Sequence, residues 1–93
     1  MIRITRQGAT CVTLKGHAGS AEYGKDLICA AVSALALTLA ANVEGKEHAE
    51  VSLQPGSSRI SCHPEAAGIF DCICKGFQLL AERFPEHVCF LEM

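Results

Sequence analysis

The sequence predicts an α+β two-layer sandwich with the element order ββαββαβ, and three observations carry that prediction. Short stretches of alternating apolar and polar residues recur at residues 2–6, 10–16, 48–53, 58–62 and 87–91. Two longer segments, one beginning at Leu27 and one at Pro64, have the length and spacing of helices. Turn residues join the strands in pairs. Two hairpins with two crossover helices put both helices on one face of a mostly antiparallel, partly mixed sheet. At 93 residues the chain reads as one domain, residues 1–93. A chain of this size buries roughly two-thirds of its unfolded surface, enough for one core layer.

Ile2-Arg3-Ile4-Thr5-Arg6 alternates as a half-buried strand does, Gln7-Gly8-Ala9 turns, and Cys11, Val12, Thr13 and Leu14 continue the alternation. Residues 17–25 hold small side chains after His17 and then Gly24, and read as a loop. Asp26 is an N-cap candidate for a helix from Leu27 to about Val43, and Gly45 stands where a C-terminal glycine belongs. This helix is apolar on nearly every face, whereas the sheet of a two-layer fold covers only one side. The second helix, a partner subunit or both must cover the rest, which is the sequence argument for a homodimer.

His48 to Leu53 and Ser58 to Cys62 form a second strand pair, joined by the turn Gln54-Pro55-Gly56-Ser57. Pro64-Glu65 opens the second helix, whose large apolar residues Ile69, Ile73, Phe77, Leu80 and Phe84 advance by threes and fours, with Phe70 and Ala81 alongside. Pro85 ends it, and His87 to Leu91 is a last strand. The order of strands in the sheet does not follow from the pattern.

Composition narrows the function. A net charge of −2 and an aromatic content of 5%, with no Trp, leave no footprint for nucleic acid. The apolar run from Leu27 to Ala41 is too short to span a bilayer, so no membrane is expected. Strand-like alternation from Met1 is unlike a secretory leader, and the chain reads as cytoplasmic. Its six cysteines (11, 29, 62, 72, 74 and 89) are then expected to stay reduced. None forms a CxxC pair; Cys72-x-Cys74 with Cys62-His63 is a weak zinc pattern, and no metal or cofactor is expected.

The chemistry concentrates in Gly16-His17-Ala18 and the segment Gly24 to Ser33. With Asp26 as N-cap, Cys29 is the third helical residue. There the unpartnered N–H groups of the first turn and the macrodipole favour a thiolate. Lys25 adds a nearby cation. His17 precedes Cys29 by twelve residues, a length that can fold back so the imidazole reaches the sulfur as general base and later general acid. Free amides of the first turn could hold an oxyanion. Asp26 could cap the helix or orient the histidine, and Ser33 lies one turn beyond Cys29 on the same face. Gly19, Tyr23 and Gly24 mark a loop able to move, with Tyr23 its only large ring. Cys11 and Cys89 read as packing residues; His48, His63 and His87 read as non-catalytic, because no second group is placed to activate them.

The run Gly16-His17-Ala18, Gly24, Asp26 and Cys29-Ala30-Ala31-Val32-Ser33 resembles the ribosomal-processing cysteine proteases of bacteria. Chain length and element order agree with that family over the whole domain. The resemblance implies a cytoplasmic homodimer that removes an N-terminal extension from a large-subunit ribosomal protein. Left uncut, that extension would interfere near the peptidyl-transfer centre. It also implies a bond cut between bulky aromatic residues and a small one. Cys29 would be the nucleophile and His17 the base, with Asp26 and Ser33 supporting them and the intervening loop closing over the peptide. Two other readings stand beside it: a non-enzymatic homodimeric interaction module, and a thiol redox sensor using Cys29 or the Cys72/Cys74 pair.

Overall fold

The computed structural model describes residues 1–19 and 26–93. Strands β1 (Ile2–Arg6), β2 (Cys11–Lys15), β3 (Glu50–Gln54), β4 (Ser57–Ser61) and β5 (Val88–Glu92) form one sheet in the order β3-β4-β2-β1-β5. Every pairing is antiparallel except β1 with β5, which run parallel. Helices α1 (Leu27–Val43) and α2 (Ala67–Arg83) provide the crossovers, and a 3-10 turn at Pro64–Ala66 leads into α2.

Several boundaries differ from the sequence reading for local reasons. The second strand pair begins at Glu50 rather than His48, because His48 sits at φ 59° in the turn that follows α1. Pro64 starts a 3-10 turn before the α-helix proper, with His63 Nδ1 accepting from the Glu65 N–H at 3.3 Å. The end of α1 is as expected: the Glu44 N–H donates to the Ala40 carbonyl and Gly45 takes φ 82°, the left-handed turn that a glycine permits.

Strand register sorts the side chains into two faces. Val51, Ile60 and Val12 align across β3, β4 and β2, while Ile4 is opposite Leu14 and Phe90. Ile2, Ile4, Val12, Leu14, Ile60 and Val88 pack in the core with Val32, Ala36, Leu39, Ala40 and Val43 of α1 and with Phe70, Ile73, Cys74 and Phe77 of α2. Each fully buried Phe or Leu here contributes roughly 1.5–3 kcal/mol through its area removed from water. Close packing of the helices uses Gly76, where a Cβ would lie 2.9 Å from Leu35 Cδ1.

The buried stripe of α2 is rotated from the expected one: Phe70 and Cys74 are fully inside, while Phe84 is exposed. Cys11 and Cys89 lie half-buried outside that core, because the same alternation that turns Val12 and Val88 inward turns their neighbours outward.

Arg6 closes one end of the core layer by bonding the Asp71 carboxylate at 2.6 Å and the Ala9 carbonyl at 2.8 Å. Burial pushes the nearby Cys74 thiol up from its ordinary value; Arg6 opposes the rise, and Glu92 and Asp71 add to it. As pH climbs past the ordinary thiol range, the unfolded chain therefore releases this proton before the folded one does, and stability falls. Urea midpoints at about pH 7.5 and about pH 10 should separate further in the wild type than in Cys74→Ala, since the buried thiol no longer titrates in the variant. Equal separations would remove the thiol as the cause.

Candidate active site

A groove of ≈ 320 Å³ runs between α1 and the overhanging β3–β4 hairpin. The helix contributes Cys29, Val32, Ser33, Ala36 and Leu37, residues spaced so that they form one stripe. The hairpin contributes Leu53 to Ser58, and Ile2, Leu14, Gly16 and His17 complete the lining. Cys29 is half-buried and His17 and Ser33 are exposed, so solvent and a bound chain can reach all three. Among the described residues, no Asp, Glu, Lys or Arg lines this groove.

His17 is placed by its chain neighbours and by the hairpin turn. The Gly16 N–H donates to the Gly56 carbonyl at 2.9 Å. Gly56 takes φ 74°, and a Cβ there would stand 3.0 Å from His17 Nε2, so the imidazole rests directly on the turn. On the other side of His17, Ala18 is buried and its carbonyl accepts from His87 Nδ1 at 2.9 Å.

Asp26 caps α1: its Oδ1 accepts from the Cys29 N–H at 2.9 Å, and its own carbonyl accepts the Ala30 N–H at 3.0 Å. The cap fixes where the helix starts and so where Cys29 projects. It also narrows the set of free first-turn amides, because the amide of Cys29 itself is occupied. Leu27 and Ile28 hold the first-turn N–H groups that have no partner among the described residues.

Chemically, this is a thiol at a helix N-terminus and an imidazole lining one open, mostly apolar groove. Such a pair can attack a carbonyl and return a proton to an amine. The profile of the cysteine protease Prp family matches residues 1–89. The chain belongs to that family. The fold is similar to that of the essential ribosomal processing protease Prp from S. aureus, crystallised with a covalently linked product peptide. The TM-score is 0.88 with 24% identity, covering 100% of both chains. A second S. aureus Prp structure, with a substrate peptide, gives a TM-score of 0.76 at 23% identity over 99% of this chain and 97% of that one. SMU.848 from Streptococcus mutans is 33% identical with a TM-score of 0.72, over 99% of this chain and 91% of that one. No curated protein sequence matches the chain.

Within this Prp-family groove the structure brings together His17, Cys29 and Ser33, with Asp26 at its helix start. Gly19 is exposed at φ 70°, and Tyr23 and Gly24 lie outside the described residues. Sequence reasoning did not find the contact of Gly56 with His17, nor the bond from His87 to Ala18. Both are long-range: the first needs the strand order to bring the β3–β4 turn beside residue 16, and the second needs β5 to lie against β1. The redox pair fares differently, since Cys72 is exposed and Cys74 is buried on another side of α2, a poor arrangement for a bridge between them. Among the described residues no cluster of three His, Cys, Asp or Glu side chains is arranged to hold a metal ion, and no helix is long and apolar enough to cross a membrane.

Proposed function

We propose that this cysteine protease, acting as one domain over residues 1–93, removes the N-terminal extension of a large-subunit ribosomal protein in the cytoplasm. Cys29 is the nucleophile and His17 its general base and then acid. The observation that carries the reading is that both side chains open onto one groove whose described walls hold no charged residue. Such walls suit the bulky aromatic residues before the scissile bond, because burying them needs apolar contact and no charge pairing. The peptide-bound Prp structures of the same fold support it further.

In this mechanism the Cys29 sulfur attacks the scissile carbonyl as His17 takes its proton, and the tetrahedral oxyanion draws on the amides of the first turn of α1. The Cys29 N–H is held by Asp26, so the Leu27 and Ile28 amides are the donors assigned to the oxyanion. His17 then protonates the leaving amine, and water releases the acyl group by the reverse sequence. Asp26 sets the helix start, and Ser33 borders the groove one turn along.

Incubation with a ribosomal protein carrying its extension tests the activity, read by mass spectrometry of the new N-terminus. The wild type should cut once, before a small residue. His17→Ala should slow cutting by about a hundredfold or more, the scale of a lost general base. Unimpaired cutting by His17→Ala would exclude the dyad, and no cutting by the wild type would exclude the substrate class. Fractionation of the producing cell tests the compartment.

The protein is proposed to work as a homodimer. Leu27 is 82% exposed on α1, and Val51 is exposed on the edge strand β3, both outside the groove lining. These give α1 and the adjoining sheet edge apolar surface for a second copy to cover. Sedimentation equilibrium should return twice the chain mass, and a monomer at assay concentration would contradict it.

A further inference from the structure

We infer that His87 is a positioning residue for His17, an inference that rests on the proposed pairing of His17 with Cys29. The two histidines are far apart in sequence, and His87 does not line the groove. Its ring nitrogen Nδ1 is 2.9 Å from the carbonyl oxygen of Ala18, the residue that follows His17. A carbonyl can only accept, so Nδ1 carries the proton and donates. The bond fixes the plane of the Ala18–Gly19 peptide and so holds Ala18, the residue joined to His17, in place.

His87 is itself held at both backbone groups. Its N–H donates to the Phe84 carbonyl at 2.9 Å, and its carbonyl accepts the Ile2 N–H at 2.8 Å. The ring is therefore carried by the junction where the end of α2 meets the parallel pair β1 and β5. On the near side of His17, the Gly16 N–H is tied to Gly56. The base thus has one anchor before it and one after it, on the hairpin turn and on the β5 junction. Ala18 is 3% exposed, so its neighbouring carbonyl gains little from water if the His87 donor is removed, and the peptide turns to find another partner. Rotation of the Ala18–Gly19 peptide shifts Ala18, and through it the backbone of His17, whose ring rests on Gly56.

The test is the rate at which iodoacetamide alkylates Cys29 at neutral pH, followed on the Cys29 peptide by mass spectrometry so that the other cysteines do not contribute. The variants are His17→Ala, His87→Ala, His87→Asn, His87→Gln and the double variant His17→Ala/His87→Ala, each checked by thermal denaturation. An Asn amide nitrogen falls near the place of Nδ1, whereas that of Gln falls one bond farther out.

The expected result is a fall of about tenfold for His87→Ala and His87→Gln, toward the His17→Ala rate, as suits a misplaced base. His87→Asn should stay within about twofold of the wild type. In the His17→Ala background the His87 effect should vanish, because the residue acts only through the imidazole. A merely structural role would lower the rate equally with or without His17, and that outcome overturns the inference. Wild-type rates in both His87→Ala and His87→Gln also overturn it. Should His87→Ala not fold, Asn and Gln decide: equal rates for the two reject the role. If the wild type and His17→Ala react alike, the His17–Cys29 pairing itself fails, and His87 has nothing to position.

Discussion

Cys29→Ala and Cys29→Ser should each abolish cleavage of the extended ribosomal protein while the chain keeps its fold. Loss of a covalent nucleophile costs about three orders of magnitude or more, because binding and oxyanion stabilisation alone leave only a residue of the rate. Serine is the sharper probe. It keeps the shape of the side chain and the Asp26 cap, which uses the backbone amide and not the sulfur. It fails because an alkoxide is far harder to form than a thiolate at a site built around an imidazole and a helix end. The structural cost should be small, on the order of 1 kcal/mol, since Cys29 is only half-buried and loses one atom's worth of contact in Cys29→Ala. Product formation by mass spectrometry and thermal midpoints measured together separate the two effects. Cleavage at the wild-type rate by Cys29→Ala would move the nucleophile elsewhere, whereas inactivity with a collapsed midpoint would show that the cysteine is a packing residue.

The half of the site carried by α1 was legible because its information is local. Asp26 precedes an apolar run and caps it, and helical spacing puts Ser33 on the face of Cys29, the face that with Val32, Ala36 and Leu37 lines the groove. The other half depends on which strands are neighbours. Nothing in residues 54–57 says that their turn will stand under His17; that follows from β4 pairing with β2, which sets Ser57 opposite Lys15 next to Gly16. His87 is similar. Its place in sequence marks only a strand start, and the parallel register of Ile2 with Val88 brings it to Ala18.

Alternation announced two faces for each strand without saying which would turn inward for Cys11 or Cys89. The neighbouring Val12 and Val88 decided that, being buried. On α2 the apolar positions span more than one stripe. The tightly packed side is the one that meets α1 at Gly76 and the sheet at Phe70 and Phe77, which leaves Phe84 outside. The Asp26 question was also local but was undetermined by spacing, since one carboxylate can reach either an amide or a ring. The bond to the Cys29 N–H establishes the capping role, and with it removes that amide from the set able to hold an oxyanion.

Gly16→Ala should be the most damaging alanine substitution among the described glycines, and Gly8→Ala measures how much of the damage is conformational. Both glycines sit in the left-handed region, at φ 94° and φ 70°. Each substitution therefore carries a backbone cost of about 1 kcal/mol. At Gly8 a Cβ meets nothing within 4 Å, so that is the whole effect. At Gly16 the Cβ would collide with the backbone carbonyl oxygen of Met1, which has no flexible end to swing aside. Relief requires the start of β1 to shift, and the Ile2 N–H there holds the His87 carbonyl, whose ring in turn holds Ala18. The alternative is for the turn at Gly16 to shift, which breaks its bond to Gly56 and carries His17 away from the groove. Either route should bring the total loss to about 3 kcal/mol, a large share of the stability of a small domain. The thermal midpoint should drop by on the order of 10–20 °C, against roughly 4–8 °C for Gly8→Ala. Cleavage measured well below the lowered midpoint should fall in Gly16→Ala and stay unchanged in Gly8→Ala, because only the first moves the base. Equal midpoint losses in the two variants would show that the Met1 carbonyl yields freely, and would disconnect the β1 terminus from the placement of His17.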